Sequence, residues 1–114
     1  KGSKIGENCR IGQNVVIGDN TSIGAHSFIP EGLKIESNVF IGPNFCGTND
    51  KYPPSGREGW QKTIVKSGAR LGASVTVICG VTIGKNALIG AGSVVVANIP
   101  ENEVWIGVHA RKLK

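Results

Sequence analysis

Aliphatic residues return every six positions along this chain. Ile5, Ile11, Ile17, Ile23, Ile29, Ile35 and Ile41 keep the spacing, and Val65, Leu71, Val77, Ile83, Ile89 and Val95 resume it after a gap that is itself four sixes. A second column lies two residues earlier, where Ser3, Cys9, Val15, Thr21, Ser27, Leu33, Val39, Ala69, Val75, Val81, Ala87 and Ser93 are mostly small. Two inward positions separated by two are the signature of an extended strand. No apolar stripe recurs at three and four, which excludes a helix.

Gly follows the aliphatic in eight of the thirteen repeats, and Asn8, Asn14, Asn20, Asn38 and Asn86 recur three places after the aliphatic. Both residue types tolerate left-handed backbone angles. Each six residues therefore make a short strand and a corner. Three such units close a triangular turn of about 18 residues that stacks on its neighbours at about 4.8 Å. The expected fold is an all-β parallel β-helix over residues 1–98, its aliphatics forming interior ladders. The Ile, Gly and Asn columns are then scaffold, and function belongs where the repeat fails.

It fails twice. From about 44 to 62 polar and aromatic residues replace the ladder, and Pro53 and Pro54 forbid regular pairing, so a loop is expected to leave the coil. Long loops on rigid scaffolds often carry function. The second failure is the tail over 99–114, expected to cap the end of the coil.

Composition narrows the partner. A chain of 114 residues makes one domain. Its apolar runs, such as Ser93 to Ala97, fall far short of a membrane span. No charged start leads into an apolar stretch and a cleavage site, and Cys9, Cys46 and Cys79 form no Cys-x-x-Cys pair, so free thiols and a cytoplasmic location are expected. Asn20-Thr21-Ser22 matches a glycosylation acceptor by chance on that reading. A net charge of +5 favours an anionic partner. Much of it is scattered, but Arg111, Lys112 and Lys114 cluster at the end, and one Tyr and three Phe offer little base stacking. A polyphosphate cofactor fits better than nucleic acid.

Nearly the whole chain resembles the hexapeptide-repeat acyltransferases. Asn38-Val39-Phe40-Ile41-Gly42-Pro43, Thr48-Asn49, the run from Lys62 to Ala73, Cys79-Gly80-Val81-Thr82-Ile83-Gly84 and the run from Ile89 to Val95 are similar to bacterial nucleotide-sugar N-acetyltransferases. The resemblance implies a left-handed coil, a homotrimer, and CoA lying in the cleft between subunits. Handedness comes from the resemblance alone. It further implies acetyl transfer from acetyl-CoA to the amine of a nucleotide-linked deoxyamino sugar for surface polysaccharide. Two rivals are an O-acetyltransferase of the maltose, galactoside or xenobiotic type and a non-catalytic scaffold module. The tail departs from the family pattern, because Gly107-Val108-His109-Ala110-Arg111 carries His where Pro is usual.

The same resemblance nominates site residues. His26 stands at a corner where other repeats carry Asn, and nucleotide-sugar acetyltransferases hold an amide residue near the reacting amine at this place. An imidazole there is a candidate proton acceptor. Asn49 occupies the start of the loop, where hydroxyl-acetylating relatives place an essential His, and it can orient an amine but take no proton. Asp50, Tyr52, Arg57 and Trp60 are candidates for holding the sugar nucleotide. Ala73, Gly80 and Ala91 are the small residues along which the pantetheine arm would run, and Arg111 and Lys112 would pair with CoA phosphates. Only His26 and His109 are available, short of the three histidines a zinc carbonic anhydrase of this fold needs, so no metal is expected.

Overall fold

The computed structural model describes residues 1–50, 53–54 and 61–114. Sixteen short strands run from β1 (Lys4–Ile5) to β16 (Arg111–Lys112), with no helix among the described residues. They form three sheets of seven, five and four strands, one for each side of a triangular coil. Pairing is parallel and in phase, Lys4 beside Ser22 and Ile5 beside Ile23, then Ser22 beside Phe40, an offset of 18 residues per turn. The backbone bonds run between turns, as in Gly6 N–H to the Ile23 carbonyl and Gly24 N–H to the Ile41 carbonyl, both 2.8 Å.

The expected aliphatic columns lie inside. Ile29, Ile35, Ile41, Val65, Leu71, Val77, Ile83, Ile89 and Val95 are fully buried, and Val39, Ala69, Val75 and Ala87 from the second column join them. Each large side chain so buried contributes roughly 1.5–3 kcal/mol. The polar members of the second column satisfy themselves against the wall. Thr21 Oγ1 donates to the Glu36 carbonyl at 2.9 Å, and Ser27 Oγ donates to that of Gly24 at 2.8 Å.

One turn is longer than the rest. Phe40 pairs with Arg70 and Ile41 with Leu71, an offset of 30, so the interruption adds twelve residues to a single turn. Twelve is two sixes, which is why the phase survives. The coil also continues further than 44, where departure was expected. Strand β8 (Cys46–Gly47) pairs with Phe28 on one side and Thr76 on the other. Phe45 is buried, and a Cβ on Gly47 would stand 3.3 Å from the Phe45 ring and 2.8 Å from Pro30 Cδ. The ring fills the interior where this turn lacks an aliphatic.

The two ends differ. At the first turn Ile5 is half exposed. At the other, the last turn shortens to an offset of 16, with Leu88 beside Val104 and Ile89 beside Trp105. Strand β16 then pairs antiparallel to β15 (Val104–Ile106), Trp105 opposite Lys112. A strand running the opposite way ends the parallel stacking in this sheet. The tail is pinned on both sides of Val94, whose N–H donates to the Gly107 carbonyl and whose carbonyl accepts from Ala110 N–H. Cys9, Cys46 and Cys79 are free thiols.

Candidate functional site

The five-stranded second sheet presents one outward column: Arg10, Phe28, Cys46, Thr76 and Val94, paired in that order. Beside its lower part lies a hollow of about 330 Å³ walled by Arg10, Ile11, Gly12, Gln13, Phe28, Glu31 and Asn49. Gln13, Glu31 and Asn49 follow one another at the 18-residue interval of the coil and so stack along one edge of the sheet. Of these wall residues only Asn49 was expected from the sequence. Counting back by 18 from Asn49 finds Glu31 and Gln13, but only once the length of a turn is known.

Each edge of this sheet carries part of the expected set. One edge holds His26, Ala73 and Ala91. His26 is exposed at φ 62°, its N–H donating to the Glu7 carbonyl at 2.8 Å, and it shares its corner column with Asn8, Asn44, Ser74 and Gly92, all at positive φ. Turns meet there too closely for side chains: a Cβ on Gly42 would lie 2.7 Å from Ala73 N, and one on Gly72 would lie 2.7 Å from Ala91 N. Packing therefore forces a smooth track on this edge.

The opposite edge holds Asn49 and Gly80. The Asn49 carbonyl accepts from Gln61 N–H at 2.8 Å, which closes the neck of the loop. Gly80, at φ 85°, donates its N–H to Thr63 Oγ1 at 3.2 Å and lies against the Gln61 side chain. Asp50 is half-buried at the start of the loop. Tyr52, Arg57 and Trp60 lie outside the described residues. Within one chain, His26 and Asn49 are separated by the width of a coil face, on the order of 15 Å at the usual strand rise.

Arg111 and Lys112 share strand β16 but not the same surroundings. Lys112 Nζ lies 3.4 Å from Glu103 Oε2, and the other Glu103 oxygen accepts from Trp105 Nε1 at 2.9 Å. Arg111 is exposed and makes no ion pair with the described residues. Among the described residues no three His, Cys, Asp or Glu side chains gather as a metal site, and no helix is long and apolar enough to cross a membrane.

Hexapeptide turns, an interruption between Asn49 and Gln61 and a reversed terminal strand define a parallel β-helix of hexapeptide repeats. The family described as bacterial transferase hexapeptide (six repeats) matches residues 1–35 and 62–97, and the chain belongs to it. It is 38% identical over 79 residues to a galactoside O-acetyltransferase of Lactococcus lactis, covering 64% of this chain and 38% of that one. It is 44% identical over 54 residues to a dTDP-3-amino-3,6-dideoxy-alpha-D-galactopyranose 3-N-acetyltransferase of Aneurinibacillus thermoaerophilus, covering 47% of this chain and 28% of that one. The crystal structure of a maltose O-acetyltransferase from Clostridium difficile 630 superposes with a TM-score of 0.85 at 26% identity, over 98% of this chain and 65% of that one. The chain thus spans less than two thirds of the length of these relatives.

Proposed function

We propose that this chain carries the transfer unit of an acetyltransferase that moves acetyl from acetyl-CoA to the amino group of a nucleotide-linked deoxyamino sugar, for surface polysaccharide. The carrying observation is that Asn49, an amide, stands on the wall of the hollow beside the neck of the loop. An amine needs orientation and an exit for its proton more than it needs a strong base. The neutral amine attacks the thioester carbonyl, the C–S bond breaks, and the amine's proton is passed on as CoA leaves as its thiol. In this proposal Asn49 orients the acceptor and His26 takes the proton.

A homotrimer supplies the missing geometry. His26, Ala73 and Ala91 lie on one edge of the second sheet and Asn49 and Gly80 on the other. Setting one edge against the opposite edge of a neighbouring subunit brings the two sets to one cleft. The pantetheine arm then follows the small residues Ala73, Gly80 and Ala91, and Arg111 and Lys112 meet the CoA phosphates. Asp50, Tyr52, Arg57 and Trp60 remain proposed sugar-nucleotide ligands on the loop. The division into a coil over 1–98 and a capping tail over 99–114 is proposed to separate acceptor from cofactor phosphates. The cytoplasm is the compartment of this reading, and no metal takes part in it.

O-acetylation is the second reading, favoured by the names of the lactococcal and clostridial relatives. Release of CoA thiol with a panel of amino sugars, nucleotide-linked amino sugars and sugars bearing only hydroxyls tests both. Turnover confined to hydroxyl-only acceptors would replace the first reading by the second, and absence of CoA binding would leave a scaffold module. Sedimentation velocity tests the trimer: a monomer that still binds CoA and turns over removes the shared cleft.

A further inference from the structure

The two halves of the second sheet's outer face differ in chemistry. Arg10 and Phe28 are register partners on adjacent strands, so their side chains leave the sheet about 4.8 Å apart. Above them the same column continues with the smaller Cys46, Thr76 and Val94. Along the adjoining edge Gln13, Glu31 and Asn49 supply polar side chains to the same hollow.

We propose that this hollow is the binding site for a phosphate-bearing sugar, with Arg10 as its phosphate ligand. The inference rests on the transferase reading above and adds to it the residues that recognise the acceptor. Arg10 is exposed and makes no ion pair with the described residues. A guanidinium offers a planar fork of donors that matches two phosphate oxygens. Phe28, 43% exposed, presents a ring beside that charge. An aromatic on an open face packs against the apolar side of a sugar ring. Gln13 and Glu31 accept hydrogen bonds from the ring hydroxyls.

Size sets the extent of the ligand. About 330 Å³ is at the small end of ligand pockets, so a sugar ring with its first phosphate fits and the rest of a nucleotide lies outside. Polarity sets its direction. With the phosphate at Arg10 the far side of the ring points up the face toward Asn49, at the level where the small upper residues begin.

The test is calorimetric titration of dTDP, UDP and their nucleosides into the full chain, as wild type, Arg10→Ala and Arg10→Lys, at about 0.1 M salt so that screening is constant. CoA is titrated in parallel. The wild type is expected to bind a diphosphate at least tenfold tighter than its nucleoside. Arg10→Ala should abolish that difference while leaving CoA affinity within twofold, and Arg10→Lys should keep part of it. Equal diphosphate affinity in wild type and Arg10→Ala overturns the proposal, as does a wild type that binds CoA but neither diphosphate. Failure of the wild type to bind CoA removes the transferase reading instead, and an Arg10-dependent diphosphate signal would stand apart from that failure. Thermal unfolding of both variants within about 2 °C of wild type shows that the exposed side chain is not needed for folding.

Discussion

The N–H of Gln61 donates to the carbonyl of Asn49 at 2.8 Å, so the twelve-residue excursion leaves and rejoins the coil at one point. The offset of 30 across this turn against 18 in the regular turns says that excision of two sixes restores the ordinary register. Deletion of residues 50–61 is therefore expected to leave a cooperative fold, with a melting temperature within about 5 °C of the full chain. Acetyl transfer should be lost in the same variant, because the loop is the proposed acceptor clasp. Circular dichroism melting and thiol release check the two halves, and an unfolded deletion variant would show the loop to be structural.

Two glycines of one edge should respond differently to a methyl group. A Cβ on Gly42 would lie 2.7 Å from Ala73 N and 2.8 Å from Gly72 C, both backbone atoms that cannot swing away. Gly42→Ala is expected to cost about 2–3 kcal/mol in urea unfolding. Gly92 has φ 74° and nothing within 4 Å of its would-be Cβ, so Gly92→Ala should cost only the left-handed backbone term, about 1 kcal/mol. Gly92→Asn should cost less still, since Asn8 and Asn44 already adopt that conformation in the same column.

His26 allows chemistry and structure to be separated. Its φ of 62° matches the neighbouring Asn8 and Asn44, so His26→Asn keeps the corner and removes only the imidazole. The melting temperature should not move, while kcat falls by about 10²-fold if the ring accepts the proton. Unchanged turnover would discard that role.

Arg111 and Lys112 should not be equivalent toward CoA. Lys112 already lies 3.4 Å from Glu103, whereas Arg111 makes no ion pair with the described residues. Arg111→Ala is expected to raise the KM for acetyl-CoA by about tenfold, as loss of a charge-assisted phosphate contact does. Lys112→Ala should raise it less and cost under about 1 kcal/mol of stability, because the lysine end of the pair is more than half exposed. The paired KM and unfolding measurements decide it.

Phe45 and Gly47 mark the limit of what spacing reveals. Phe45 continues the column of Ser27, Leu33 and Val39, and Gly47 continues that of Ile35 and Ile41, yet neither has the residue type its column predicts. A large ring beside an absent side chain fills the same interior volume, so the turn stays intact with the pattern apparently broken. The loop therefore begins later than it reads. Arg10, Gln13, Phe28 and Glu31 escaped for another reason: as outward residues of ordinary repeats they are indistinguishable from solvated surface until the turns are stacked.

The period of six, read from the aliphatics alone, determined the strands, the corners and the coil, because each inward side chain must meet its counterpart one turn away. Local spacing carries that information directly. Which residues share a site was decided only in three dimensions. Residues 18 apart become neighbours, so Gln13, Glu31 and Asn49 gather on one edge. Residues 23 apart, His26 and Asn49, fall on opposite edges of one sheet because 23 is one closed turn of 18 plus the five residues that cross a face.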